Sequence, residues 1–145
     1  MKILFVGSNP SAASANTNPF DPSTKSYRIV AGWISEALSV ELTSIRFEFA
    51  NVANFKTQDN KPLKVSEIRE NLPYLQVTIG AFAPDKIVAL GKTAAKALTL
   101  LQVPFLEMPH PSGRNRQLND PEYVVQKLKE LKEFILSSSN TESNL

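Results

Sequence analysis

Apolar residues fall along this chain in short unbroken runs that alternate with helically spaced stripes. Ile3 to Val6 is a continuous apolar run closed by Gly7, which predicts a buried strand. Ile29, Val30, Trp33, Ile34 and Ala37 share one helical face and predict a helix over 26–38. Thr43 to Phe49 predicts a second strand, ending at Ala50-Asn51. Ser66 stands where an N-cap would, with Glu67 in the first turn, so a helix is expected from there towards Ala83, kinked at Pro73. Lys86 to Leu90 predicts a third buried strand, broken by Gly91 and followed by a short helix over 92–100. Pro104 to Met108 predicts a fourth strand. Asp120-Pro121 has the N-cap and first-position chemistry of a helix start, and Tyr123, Val124, Leu128, Leu131 and Ile135 follow at helical spacing.

Alternating strands and helices imply an α/β fold: three layers, α/β/α, around a short, mainly parallel four-stranded sheet. No internal repeat is visible. A chain of 145 residues is long enough for one sizeable core. A single domain is expected over 1–137, and the Ser/Asn/Thr-rich stretch 138–145 is expected to be a flexible polar tail. Two polar segments, about 8–26 and 51–65, are left as loops, and a loop as long as the first is usually functional or disordered.

Composition narrows the chemistry. Cysteine is absent, which excludes disulfides, thiolate zinc sites and iron–sulfur clusters. There is 1 histidine, so an imidazole-rich metal site is excluded too, and no clustered acidic motif suggests another metal. No metal and no organic cofactor is expected. The net charge of +2 does not by itself announce a nucleic-acid binder. Local balance is more suggestive: Pro109 to Asn119 holds Arg114 and Arg116 and no acid. Basic loops of this kind can meet phosphates on a nearly neutral chain. The apolar run after Met1-Lys2 is too short for a signal-peptide core or a membrane span. A cytoplasmic, monomeric protein without membrane contact is therefore expected.

Three segments carry candidate chemistry, and all three follow apolar strands. They are Gly7-Ser8-Asn9-Pro10-Ser11, Asn51 to Phe55, and Met108-Pro109-His110-Pro111-Ser112-Gly113-Arg114-Asn115-Arg116. Prolines on both sides of His110 forbid a regular helix or a central strand there. Ligands in parallel α/β folds bind beyond the carboxyl ends of the strands, so segments remote in sequence should converge there. Gly91-Lys92-Thr93 resembles the end of a phosphate-binding P-loop, but position 86 is Lys where that motif needs glycine. It is read as a strand-to-helix turn, with Ala94, Ala95 and Ala97 permitting close packing on the sheet.

The ordered set resembles the uracil-DNA glycosylase superfamily. Gly7-Ser8-Asn9-Pro10-Ser11 is similar to the Gly-x-Asn-Pro-Gly form of the first motif in the mismatch-specific and single-strand-selective branches, with Ser11 in place of the final glycine. His110-Pro111-Ser112 is similar to the second active-site motif, and Gly113-Arg114-Asn115 most resembles the single-strand-selective branch. Asn51-Val52, Pro73-Tyr74-Leu75 and the stretch Val88 to Ala95 resemble the iron–sulfur branch, whose cluster the missing cysteines rule out. The likeness spans roughly residues 3 to 117.

The resemblance implies a uracil-DNA glycosylase-like fold and a monofunctional hydrolase acting on the N-glycosidic bond of uracil or a related modified pyrimidine in DNA. It implies that Asn9 positions the attacking water and that His110 donates to the uracil O2 position. Asn51 would read the base, Phe20 would stack on it, and Gly7 and Ser8 would line its pocket. Phe55 is a weaker choice for the stacking plate. Ser11, Ser112 and Gly113 would contact DNA, Arg114 would be the duplex wedge, and Arg116 and Lys25 would be phosphate contacts. Two other readings stay open at this level. One is a catalytically weak or inactive module of the same fold that binds DNA or protein. The other is an N-glycosidase for free nucleotides.

Overall fold

The computed structural model describes residues 1–10, 16–22, 24–37, 45–112 and 115–137. Its elements run β1 (Lys2–Gly7), α1 (Lys25–Ala37), β2 (Arg46–Asn51), α2 (Val65–Phe82), β3 (Lys86–Leu90), α3 (Lys92–Leu100), β4 (Leu106–Met108) and α4 (Pro121–Leu136). The strands form one sheet in the order β2-β1-β3-β4. Every pairing in it is parallel. The expectation of a mainly parallel sheet is met in its strict form.

Alternation along β1 builds the three layers. Ile3 and Phe5 face one side, where Val30, Trp33 and Ile34 of α1 and Leu131 and Ile135 of α4 cover them. Leu4 and Val6 face the other side, against Ile68 and Leu75 of α2 and Ala94, Ala97 and Leu98 of α3. All four β1 residues are fully buried, as expected of a strand covered on both faces. Losing a buried phenyl ring such as that of Phe5 typically costs about 3–5 kcal/mol. The small alanines of α3 let that helix lie close on β3, as their pattern predicts.

Several boundaries differ from the sequence expectation, each for a local reason. Helix α1 begins at Lys25, because the Thr24 hydroxyl accepts from the Tyr27 N–H at 3.2 Å and caps the first turn. Helix α2 begins at Val65 with Lys64 as N-cap, two positions before Ser66. There the Glu67 carboxylate reaches back to accept from the Lys64 N–H at 2.7 Å, so Ser66 is not the cap. Pro73 lies inside α2, and the helix continues through it to Phe82. Strand β4 starts at Leu106 rather than Pro104, since a proline has no N–H to offer a ladder. Asp120 caps α4 as expected, its carboxylate accepting from the Glu122 and Tyr123 N–H groups.

Strand β2 covers Arg46–Asn51 and ends at Asn51, as expected. Register explains this: Asn51 pairs with Gly7, and the pairing runs on through Val52 N–H to Gly7 C=O (2.9 Å) and Ala53 N–H to Ser8 C=O (3.0 Å). Thr43, Ser44 and Leu38, included in the expected elements, lie outside the described residues, as does the expected tail at 138–145.

The topology places the site. Chain leaving β1 goes through α1 to β2 on one side, and chain leaving β3 goes through α3 to β4 on the other. The strand order therefore reverses between β1 and β3, which is where parallel α/β sheets open a crevice at their carboxyl edge.

Candidate active site

At the β1–β2 end, two side chains interlock around Gly7. A Cβ placed on Gly7 would lie 2.7 Å from Phe20 Cε2 and 2.8 Å from Asn51 Oδ1, distances no real Cβ adopts. Glycine is required here by close approach, and what approaches is the Phe20 ring and the Asn51 amide. The Phe20 ring also packs on Phe49, with centroids 5.3 Å apart. Phe49 in turn stacks on Phe5 of the core at 5.6 Å. Phe20 holds a left-handed backbone conformation, with φ of 51°. That conformation is unfavourable for an aromatic residue, and the ring's packing sustains it. Phe20 is thus both an anchor of its loop and a wall of the Gly7 corner.

Asn51 is 5% exposed, and it is the one buried polar or charged residue among those described. Its side-chain amide makes no hydrogen bond among the described residues. Buried amides normally have partners, and leaving one unmatched costs about 1–3 kcal/mol. An amide offers both a donor and an acceptor, so a group with the converse pair is what this corner lacks.

Asn9 follows directly in the same loop and is fully oriented. Its Nδ2 donates to the Phe55 carbonyl at 3.1 Å, and its Oδ1 accepts from the Ser8 hydroxyl at 2.8 Å. A carbonyl can only accept, so the amide cannot be turned the other way. One lone pair on Oδ1 and one N–H remain for a ligand or a water. Ser8 therefore holds Asn9, and Phe55 contributes its backbone carbonyl here.

At the β4 end the loop is built differently. The His110 carbonyl accepts from the Ser112 N–H at 2.8 Å and from Asn115 Nδ2 at 2.9 Å. Asn115 Oδ1 accepts from the Gln117 N–H at 3.0 Å. One asparagine thus staples both ends of the turn that carries His110. The imidazole rests on Gly91: a Cβ there would meet His110 Cβ and Cδ2 at 3.1 Å, and the Gly91 φ of +100° is one that L side chains rarely adopt. Desolvation pushes the His110 pKa below histidine's ordinary value, which favours the neutral ring. Even so, the residue as a whole is exposed. Among the described residues, neither ring nitrogen has a hydrogen-bond partner that would select a tautomer.

Beside His110, on the β4 and α4 side, lies a cavity of about 460 Å³. Glu107, Gln117, Tyr123 and Lys127 stand in its wall together with His110. Among the described residues, no group of three or more His, Asp or Glu side chains could hold a metal ion. No helix among them is long and apolar enough to cross a membrane.

Gly7, Ser8, Asn9, Phe20 and Asn51 are thus brought together at the ends of β1 and β2. His110 and Ser112 stand on the same carboxyl edge but at the end of β4, three strand spacings from β2, or roughly 14 Å. Arg116 and Lys25 are exposed, as phosphate contacts would be. Ser11, Gly113 and Arg114 lie outside the described residues. Sequence reasoning took Gly91 only as a strand breaker and gave Asn115 no role of its own. The signal for Asn115 was present: Asn two residues before a turn is a common side-chain cap. Nothing in the sequence pointed to Phe55 as a backbone acceptor.

The family model described as Uracil DNA glycosylase superfamily matches residues 1–132. The chain belongs to that superfamily. A search of curated proteins gives no match.

Proposed function

We propose that this member of the uracil DNA glycosylase superfamily is a monofunctional DNA glycosylase, which hydrolyses the bond between deoxyribose and uracil or a related modified pyrimidine. The observation that carries the reading is the buried amide of Asn51, which has no hydrogen bond among the described residues and lies beside the Phe20 ring at the carboxyl ends of β1 and β2. A pyrimidine with a carbonyl next to an N–H supplies the acceptor and donor that this amide lacks. Cytosine presents a different edge, so the same pair of bonds discriminates between the two. Phe20 stacks on the base. Asn9, with its Oδ1 half engaged by Ser8, holds a water at the sugar carbon. Water oxygen bonds to C1′ as the bond to the base N1 breaks. The bonding pair leaves with the base as an anion, whose O2 accepts a hydrogen bond from His110. The water's proton passes to solvent, and the base takes a proton back from solvent, giving free base and an abasic sugar.

An amide is a poor general base, so leaving-group stabilisation carries most of the rate. A donor aimed at developing charge is typically worth about 10²–10³. Ser11, Ser112, Gly113, Arg114 and Arg116 are assigned to the DNA backbone, with Arg114 as the duplex wedge.

The test is excision of uracil from an oligonucleotide, scored as abasic sites, for the wild-type protein and Asn51→Leu. The variant should lose excision by at least about 10² while its melting temperature holds or rises. Replacing an unmatched buried amide by an apolar group of similar size removes a desolvation penalty. A drop in melting temperature with unchanged excision would make Asn51 a packing residue and sink the reading.

A further inference from the structure

The cavity beside His110 is not accounted for by the chemistry above. Its wall combines an aromatic ring, Tyr123; a carboxylate, Glu107; an amide, Gln117; and two ammonium groups, Lys92 and Lys127. Two of these five groups are unengaged among the described residues, and two more are only loosely paired. The Tyr123 hydroxyl and the Gln117 amide make no hydrogen bond. Glu107 has only a 3.9 Å ion pair with Lys92, whose side chain is 97% exposed. An ion pair that exposed contributes little and is readily exchanged for a ligand. Lys127 alone of the five is held at close range, by Glu130 at 3.0 Å.

We propose that this cavity is a second base pocket, which receives the nucleotide next to the target and prefers guanine. The inference rests on the DNA glycosylase reading above. His110 lines this cavity and, on that reading, also donates to the target base, so a strand whose target base lies towards Asn51 carries its neighbour towards Glu107. A volume of about 460 Å³ lies in the range of sites that enclose small ligands and exceeds a single base. Tyr123 supplies a stacking surface, which is worth having for any base.

Glu107 decides among the bases. A carboxylate has two acceptor oxygens and no donor. Guanine matches it with two adjacent donors, N1–H and the 2-amino group. Cytosine and adenine each offer one amine beside a ring-nitrogen acceptor. Thymine offers one N–H between two carbonyl oxygens, both of which the carboxylate repels. The order expected is guanine first, then cytosine and adenine, then thymine.

The experiment measures anisotropy of short single strands that carry 2′-fluoro-2′-deoxyuridine, whose fluorine blocks cleavage. The nucleotide on one side of the target, then on the other, is dG, dC, dA or dT. On one side dG should bind more tightly than dT by about tenfold, the scale of one good bidentate base contact. Glu107→Gln, which keeps only one acceptor oxygen, should bring dG down to the level of dC. Tyr123→Leu should weaken all four alike. Equal affinity for every neighbour on both sides, no binding of any strand, or a dG preference that survives Glu107→Gln would each overturn the proposal. Excision is scored separately on cleavable strands. A dG preference without excision would leave the pocket standing and remove the glycosylase reading, while excision with no neighbour preference would do the reverse.

Discussion

The two ends of this site are prepared in different ways. At the ends of β1 and β2, side chains are already placed. Phe20 is wedged between Gly7 and Phe49, Asn9 is held at both atoms of its amide, and Asn51 is buried beside them. At the end of β4, the backbone is placed and the side chain is not. Asn115 ties down the His110 carbonyl, while the imidazole sits on Gly91 without a hydrogen bond of its own. Preorganisation is most useful where shape must be judged before any reaction. A donor to a leaving base is needed only as charge develops, so its missing partner can come with the substrate.

Breaking the β4 side should have the largest effect. His110→Ala should slow excision by about 10²–10³ with little change in melting temperature, because the ring makes no hydrogen bond among the described residues. Single-turnover rates on a uracil strand decide it, and an unchanged rate would move catalysis elsewhere along the edge. Breaking the β1–β2 side through Gly7→Ala comes next. The added methyl must push aside the Phe20 ring or the Asn51 amide, both side-chain ends that can move. The fold should survive with a loss of about 1–3 kcal/mol, the usual scale of overpacking. Misplacing the base by even about 1 Å can lower excision by about 10². Full activity in Gly7→Ala would show that the interlock is irrelevant to chemistry.

The smallest effect is pH dependence, and it sharpens the contrast because only the β4 side has a titrating group. The His110 pKa is lowered by desolvation, so the folded state binds the proton less well than the unfolded chain. The resulting stability is fully present above histidine's ordinary value, about 6.5, and is lost as pH falls through the lowered one. Exposure of the residue keeps this contribution small. Melting temperature should hold as pH falls through the ordinary histidine range and decline only below it, and His110→Ala should flatten that decline. A decline that persists in His110→Ala would assign the titration to another group.

The order of elements was legible in the chain because a strand buried on both faces must be continuously apolar, as Ile3 to Val6 and Lys86 to Leu90 nearly are. Helix α3 was legible to the residue, since Gly91 and Leu100 bracket an alanine-rich stripe. The starts of α1 and α2 were not. They depend on whether Thr24, Ser66 or Glu67 wins a particular N–H, and several residue types compete for that role. The end of β2 at Asn51 was legible, and register with Gly7 carries the strand that far.

Sequence alone therefore determined that the chain alternates strand and helix, which follows from periodicity and residue type, both local properties. Asn9, Asn51 and His110 became candidates through resemblance to the superfamily's motifs at three strand ends. Only the tertiary structure decided that Gly7 is the seat of Phe20 and Asn51, that Gly91 is the seat of His110, and that Glu107 and Tyr123 share a cavity with it. Those facts come from close approach between residues far apart in the chain. Close approach depends on which strand lies beside which and at what register, and no local pattern encodes that.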